Sequence, residues 1–321
     1  MTRSRVTIHD VARLAGVSVG TVSRALNDRY GVNSGTRKEV LEAAKTLGYQ
    51  PDPTARELSN RQPVTVGLSV AHGHKRLIPF FVLYLGHLLD AMADSGLRVR
   101  DVPTGEDGLP AESADAYVLL GAHSGDPRLE YLRAERIPHV LVGHFDGVSS
   151  IAADDVSGGR IAGEHLLALG HEHIVHLTGD LDSQSFSDRL AGLDQALREA
   201  GAPPPELVVC HELTALGAYR ALISRLATDP PSAVFAATDE LASGCVAAAE
   251  DLGLRVPEDL SVIGFDDMPE VGETLTTIRQ DINELARQTV TLLLEGLRGE
   301  LSRNVRLQVE LVDRGTTARR R

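Results

Sequence analysis

Apolar residues recur along this chain in two rhythms, and the change between them falls near residue 64. Over the first fifty residues the spacing is helical. Ile8, Val11, Ala12 and Ala15 share one face of a short segment that Thr7 and Asp10 open in the manner of a capping box. Gly16-Val17 turns the chain, Ser18 is placed to cap a second helix over 19–26, and a third is expected from Thr36, capped by Thr36 with Glu39, to a stop at Gly48. Val40, Leu41, Ala44 and Leu47 are expected to close a three-helix core. Two short helices joined by a tight glycine-containing turn make a helix-turn-helix. The next stretch, 51–63, has Pro53 at a first-turn position and helical composition through Asn60, but is too short to be stable alone in water.

From Val64 onward, short apolar runs alternate with helical stretches, which predicts an α/β body with mainly parallel sheets. Strands are expected over 64–70, 116–120, 139–142, 174–178, 233–236 and 261–265, and helices over 80–95, 158–169, 188–200, 215–227 and 241–252. The fold class is therefore an all-α helix-turn-helix head followed by an α/β body.

Charge divides along the same line. Through Pro63 there are ten Lys/Arg and six Asp/Glu, a net of +4; the whole chain of 321 residues carries −13, so the rest carries −17. A polyanion is expected to meet the head alone, and an acidic body discourages nonspecific adhesion to DNA. Two cysteines, Cys210 and Cys245, are too few for a disulfide framework or a Cys-rich zinc site. There is no bilayer-length apolar run, and the N-terminus leads straight into polar, capped helices, so a cytoplasmic protein with no membrane partner is expected.

The sequence holds no Gly-x-Gly-x-x-Gly or Walker A motif, and Gly16-Val17-Ser18-Val19-Gly20, its Gly-x-Ser-x-Gly run, lies in the turn between two short helices rather than on a strand-to-helix elbow, so neither catalytic residues nor a cofactor are expected. The run His171-Glu172-His173-Ile174-Val175-His176 lacks His-Glu-x-x-His spacing, and His72, His74 and Cys210-His211 have no partner at ligand spacing; no metal site is expected.

Particular runs carry a resemblance. Val6-Thr7-Ile8-His9-Asp10-Val11-Ala12, Gly16-Val17-Ser18, Thr21-Val22-Ser23-Arg24-Ala25-Leu26-Asn27 and Leu47-Gly48-Tyr49-Gln50-Pro51 resemble the DNA-binding domain of the LacI/GalR family of bacterial transcriptional regulators. Body motifs extend the resemblance to about residue 316: Ala153-Asp154-Asp155-Val156-Ser157-Gly158-Gly159, Arg189-Leu190-Ala191-Gly192-Leu193, Ala233 to Asp239, Ser261 to Asp267 and Leu275 to Gln280. Leu193 and Thr238 depart from the family pattern, which has an aromatic residue and Asn there. The resemblance implies a body of periplasmic-binding-protein type, with two Rossmann-like parallel-sheet subdomains around a ligand cleft. The expected division is 1–50 for the DNA-binding domain, 51–63 for hinge and linker, and 64–316 for effector binding and dimerisation. Within the body, the first subdomain is expected at about 64–169 with 282–308, and the second at about 170–281 with the C-terminal strand.

For the head, residues near the start of the second helix face base edges. Val19 suits a thymine methyl, Gly20 has nothing with which to read a base, and Arg24 is the candidate for a bidentate guanine contact, the alternative being phosphate or solvent. Thr7, Ser18, Thr21, Ser23 and Asn33 complete the expected contacts, the last four as phosphate ligands. By resemblance, Leu58 is a hinge leucine that wedges into the minor groove of a pseudo-palindromic operator, unless it packs in an ordinary linker helix. Ala55 would let two hinge helices approach, and Arg56 would reach phosphate or the groove floor. Wedging at a symmetry centre requires two copies, so double-stranded operator DNA and a homodimer are expected, with repression as the family's usual mode. The C-terminal 313–321 lacks the apolar heptads of a tetramer-forming helix.

The body is expected to bind a small-molecule effector, a carbohydrate by family habit. A polyhydroxylated ligand is met by strand-end carboxylates and an arginine, which bond it with charge assistance. The candidates are Asp266, Arg189 and Asp239, then Ser157, Ser185, Thr238, Phe80 and Phe81. The aspartates are alternatively helix caps or loop anchors, and the phenylalanines core. Aromatic content is only 4%, with no Trp, and residues 103–115 leave no room for the helix the family carries there.

Overall fold

The computed structural model describes residues 8–26, 34–47, 49, 64–71, 79–121, 125–145, 147–269 and 274–320. Thr7, Asn33, Ala55, Arg56 and Leu58 lie outside the described residues, as do the side chains of Ser23 and Arg24, while the backbone of Gly20 lies within α2. The chain divides into two compact units, Met1–Val64 and Thr65–Arg321.

In the head, α1 (Ile8–Ala15), α2 (Val19–Leu26) and α3 (Ser34–Leu47) enclose Val11, Val22 and Val40, all fully buried, with Ala12, Ala25, Ala43 and Ala44 letting the short helices come close. Leu41, expected in this core, is 49% exposed, and Ala43 takes the inward position. The reason is helical phase: 40, 43, 44 and 47 share one face, while 41 lies about 100° round from 40. Thr36 is not the cap, because α3 already begins at Ser34. Gly16 has φ +65°, and the Ser18 hydroxyl accepts the Thr21 amide at 3.1 Å, so turn and cap join α1 to α2.

The body builds two six-stranded sheets. β1 (Thr65–Val70), β2 (Arg98–Asp101), β3 (Ala116–Leu120), β4 (His139–Val142) and β5 (Ser150–Ala153) belong to the first, with α4 (Pro79–Ser95) and α5 (Pro127–Ala134) between them. The second holds β6 (Ile174–Thr178), β7 (Glu206–Val209), β8 (Ala233–Ala236), β9 (Ser261–Asp266) and β10 (Thr277–Gln280). It is served by α6 (Asp155–Ala168), α7 (Gln184–Glu199), α8 (Ala215–Thr228) and α9 (Asp239–Asp251). α10 (Ile282–Leu297), β11 (Asn304–Leu307) and β12 (Val309–Val312) complete the chain, giving orders β11-β5-β4-β3-β1-β2 and β12-β10-β9-β8-β6-β7. Among the described strands, β10 with β12 is the antiparallel pair and the others run parallel.

The chain thus passes between sheets near Asp154, Asp281 and Gln308. The first two residues cap α6 and α10, each accepting an amide three residues on. α6, which the sequence places in the first subdomain, instead shares a core with the second: its Ala162 and Leu166 pack with Leu193, Phe235 and Ile263. The boundary between layers therefore falls at Asp154 rather than 169.

Residues 103–115 form no helix, only a bridge between Thr104 and Pro110. The Tyr117 ring fills part of the missing layer, lying where a Cβ on Gly67 would stand 2.7 Å away. Its hydroxyl donates to the Glu112 carbonyl at 2.6 Å and accepts the Ala114 amide at 2.9 Å, pinning the short segment to the sheet. Among the described residues no helix is long and apolar enough to cross a membrane.

Candidate effector cleft

Two glycines set the geometry. α6 and α7 cross so closely that a Cβ on Gly192 would stand 1.9 Å from the Val156 carbonyl oxygen, and one on Gly159 2.0 Å from that of Arg189. Only a residue without Cβ allows this backbone contact. Arg189, one turn before Gly192, is thereby set beside Asp155 in the first turn of α6.

Arg189 is buried and tightly held. Its Nε donates to Asp155 Oδ1 at 2.8 Å, its Nη1 donates to the Ala237 carbonyl and lies 3.7 Å from Asp266 Oδ1. The guanidinium stacks on Phe265, 3.6 Å from the ring centroid. No described residue bonds Nη2.

Asp266, at the carboxyl end of β9, accepts a bond from Gln280 Nε2 at 2.6 Å. Burial pushes its pKa up to about 8; Arg189 opposes that rise, and the charges of Asp239 and Asp155 reinforce it. Burial also raises Asp155, against the pull of Arg189. Asp266 and Asp267 have φ of 118° and 60°, two consecutive non-glycine residues in the left-handed half of backbone space, a costly arrangement that the surroundings must impose.

These groups open into a cleft at the carboxyl ends of both sheets, where ligands bind in parallel α/β folds. Of the expected effector residues, Phe80, Phe81, Ser185, Arg189, Thr238 and Asp266 line it. Ser157 does not: its hydroxyl donates to Asp154 Oδ2 at 2.8 Å and serves the cap of α6. Asp239 does not either, being fully buried with its carboxylate on Thr277 and the Met268 amide. Sequence reasoning missed Asp155, Gln280 and Phe186, which also line the cleft. Asp155 had a signal, since a buried arginine needs a carboxylate; Gln280 and Phe186 had none beyond their place near motifs. A wider cavity, bordered by His171, Arg225 and Arg320, lies at the amino ends of the second sheet's strands, the end such folds do not use for ligands.

In the head, the hydroxyls of Ser18 and Thr21 lie 2.9 Å apart at the start of α2. Val19, expected to touch a base, is half-buried and packs against the head core.

A match to the bacterial regulatory proteins of the lacI family spans residues 7–52, and one to a periplasmic binding protein-like domain spans 164–317. The HTH-type transcriptional regulator CelR of Thermobifida fusca is 34% identical, with 96% of each chain covered. The chain belongs to the LacI family of bacterial regulatory proteins. This LacI-family regulator is also 33% identical to the transcriptional regulator MalR of Streptomyces coelicolor, over 96% of each chain. Among solved structures, the CelR–cellobiose complex matches with a TM-score of 0.70 and 29% identity, covering 97% of this chain and 100% of that one. A lac repressor dimer bound to operator and the anti-inducer ONPF matches at 0.70 and 28%, covering 98% and 100%. Helix-turn-helix head and two-sheet body together make the protein a DNA-binding transcriptional regulator of this family.

Proposed function

We propose that this protein is a homodimeric repressor whose grip on a pseudo-palindromic operator is controlled by an uncharged, polyhydroxylated effector, a carbohydrate, in the cleft between its two sheets. The observation that carries the reading is Arg189, fixed between Asp155 and Asp266 and stacked on Phe265 where the cleft opens toward Phe80 and Phe81. Its Nη2 and the Asp266 carboxyl supply directional bonds to hydroxyls, and the phenylalanine rings supply an apolar face. Among the described lining residues Arg189 is the one cation, already paired with Asp155, which disfavours an anionic ligand. The named ligand of the related CelR complex, cellobiose, agrees with that chemistry.

Control follows from where Asp266 is tied. Gln280, its hydrogen-bond partner, directly precedes the passage at Asp281 between the sheets, so a ligand that draws on Asp266 alters the joint about which the subdomains move. α4 supports the dimer: Val82 is 58% and Leu89 44% exposed on the outer side of a predominantly apolar helix. By family resemblance the helix-turn-helix reads the half-sites, with Arg24 and the hinge residues Ala55, Arg56 and Leu58 in their expected roles. The cleft binds and releases its ligand without transforming it.

The experiment is a calorimetric titration of the full chain with cellobiose, D-glucose, D-ribose and glucose 6-phosphate, paired with gel shifts on palindromic DNA selected from a randomised library. Binding of a neutral sugar, with a change in DNA affinity on its addition, is expected. Salt-insensitive or absent DNA binding, or a preference for the phosphorylated sugar, would overturn the proposal.

A further inference from the structure

Asp239 stands in the first turn of α9 with its side chain wholly enclosed. Capping does not require it: Thr238 is the cap, its hydroxyl accepting the Leu241 amide at 3.2 Å. The carboxylate instead reaches across to the exit of β9. Oδ2 accepts the Met268 amide at 2.7 Å, and Oδ1 accepts the Thr277 hydroxyl at 2.6 Å. These partners bracket the strained Asp266–Asp267 step, since Met268 follows it and Thr277 opens β10, the strand paired with β9. A Cβ on Gly264 would lie 2.3 Å from Asp239 Oδ1, so β9 carries a residue without a side chain where this carboxylate must pass.

Two adjacent residues at positive φ relax unless their neighbours hold them. Held as they are, their carboxyls serve opposite sides: Asp266 bonds Gln280 beside Arg189, while Asp267 bonds Arg279 and Arg314, each at 2.6 Å. We propose that Asp239 is a positioning residue of the effector cleft: it touches no ligand, and by clamping the Met268 amide and Thr277 it fixes Asp266 where Arg189 and the ligand meet it. This rests on the reading of the cleft given above.

The test uses the full-length chain with Asp239→Ala and Asp239→Asn, titrated with cellobiose, D-glucose and D-ribose. The Ala variant loses both bonds, and about tenfold or more of the affinity for whichever sugar binds the wild type should go with them. The Asn variant can still accept the Met268 amide and donate to the Thr277 hydroxyl, so it should recover most of that loss. A role in packing alone would lower the melting temperature and leave affinity unchanged.

Two measurements need no ligand. Hydrogen exchange at the Met268 amide should accelerate in the Ala variant and not in the Asn variant. Carboxyl NMR should show Asp266 titrating at lower pH in the Asn variant. The groups facing Asp266 are Arg189 from α7, Asp155 from α6, Asp239 from α9 and Gln280 from β10, and only the Asp239 charge is removed. If the wild type binds none of the three sugars, the carbohydrate reading fails while exchange and titration still decide the role of Asp239. Wild-type affinity and wild-type Met268 exchange in Asp239→Ala would overturn it.

Discussion

Gly192→Ala probes the contact on which the cleft is built. The added carbon would stand 1.9 Å from the Val156 carbonyl oxygen and 2.7 Å from the Arg160 amide nitrogen. Both are backbone atoms, so no side chain can swing aside, and α6 and α7 must part by about 1.5 Å to restore an ordinary contact. Overpacking costs ~1–3 kcal/mol, and a clash with rigid backbone belongs at the upper end, which for a body of this size is roughly 5–10 °C of melting temperature. The same separation carries Arg189 away from Asp155, breaking a 2.8 Å bond, so ligand affinity falls with stability. Gly159→Ala meets the Arg189 carbonyl oxygen at 2.0 Å in the same crossing. Once the helices have parted for one methyl the second costs little, and the double variant should be far less destabilised than the sum of the singles. Thermal unfolding of the wild type, both singles and the double measures this directly. A Gly192→Ala protein that melts with the wild type, or a double variant whose loss equals that sum, would refute the crossing as the determinant of Arg189 placement.

Arg189→Lys keeps the charge but loses the planar fork that serves Asp155 and the Ala237 carbonyl together; sugar affinity in calorimetry should drop about tenfold or more, and unfolding free energy should fall because the buried Asp155 and the Ala237 carbonyl lose their shared donor. Asp266, ordinarily ionised above about pH 4, is held protonated in the fold to about pH 8, so its contribution is complete at low pH and is lost as pH rises through that window; urea unfolding of Asp266→Asn should show a flatter profile there than the wild type. Tyr117→Phe removes the hydroxyl that pins residues 112–114, costing ~1 kcal/mol and speeding hydrogen exchange in that segment, with operator and sugar affinity unchanged. Leu58→Ala should leave the melting temperature in place while abolishing operator bending in a circular-permutation gel assay, and a normally bent complex would refute the wedge.

The two rhythms of apolar residues were legible because each element long enough to show a period buries one face, as Val11, Val22 and Val40 do in the head. Strands such as Arg98–Asp101 and Ser150–Ala153 have four residues, mostly charged in one case and mostly small in the other, and periodicity cannot distinguish so short a run from a loop. The direction of a carboxylate is a different kind of information. Asp266 ends β9 and Asp239 stands just beyond β8, yet Asp239 is enclosed behind β9 while Asp266 faces Arg189. The difference is made by Gly264, which clears a path for Asp239, and by a backbone turned to positive φ at Asp266, features that no local pattern announces. Arg189-x-x-Gly192 stood out through its resemblance to the family's run, and the fold supplies the reason for that spacing. One turn of helix places the glycine at the crossing and the arginine beside Asp155, so the pair works as a unit and its spacing cannot drift without losing both the contact and the charge match. Where a function depends on two requirements that share one helical turn, a short motif carries it; where it depends on a long-range approach, as between Asp239 and the exit of β9, only the folded chain shows it.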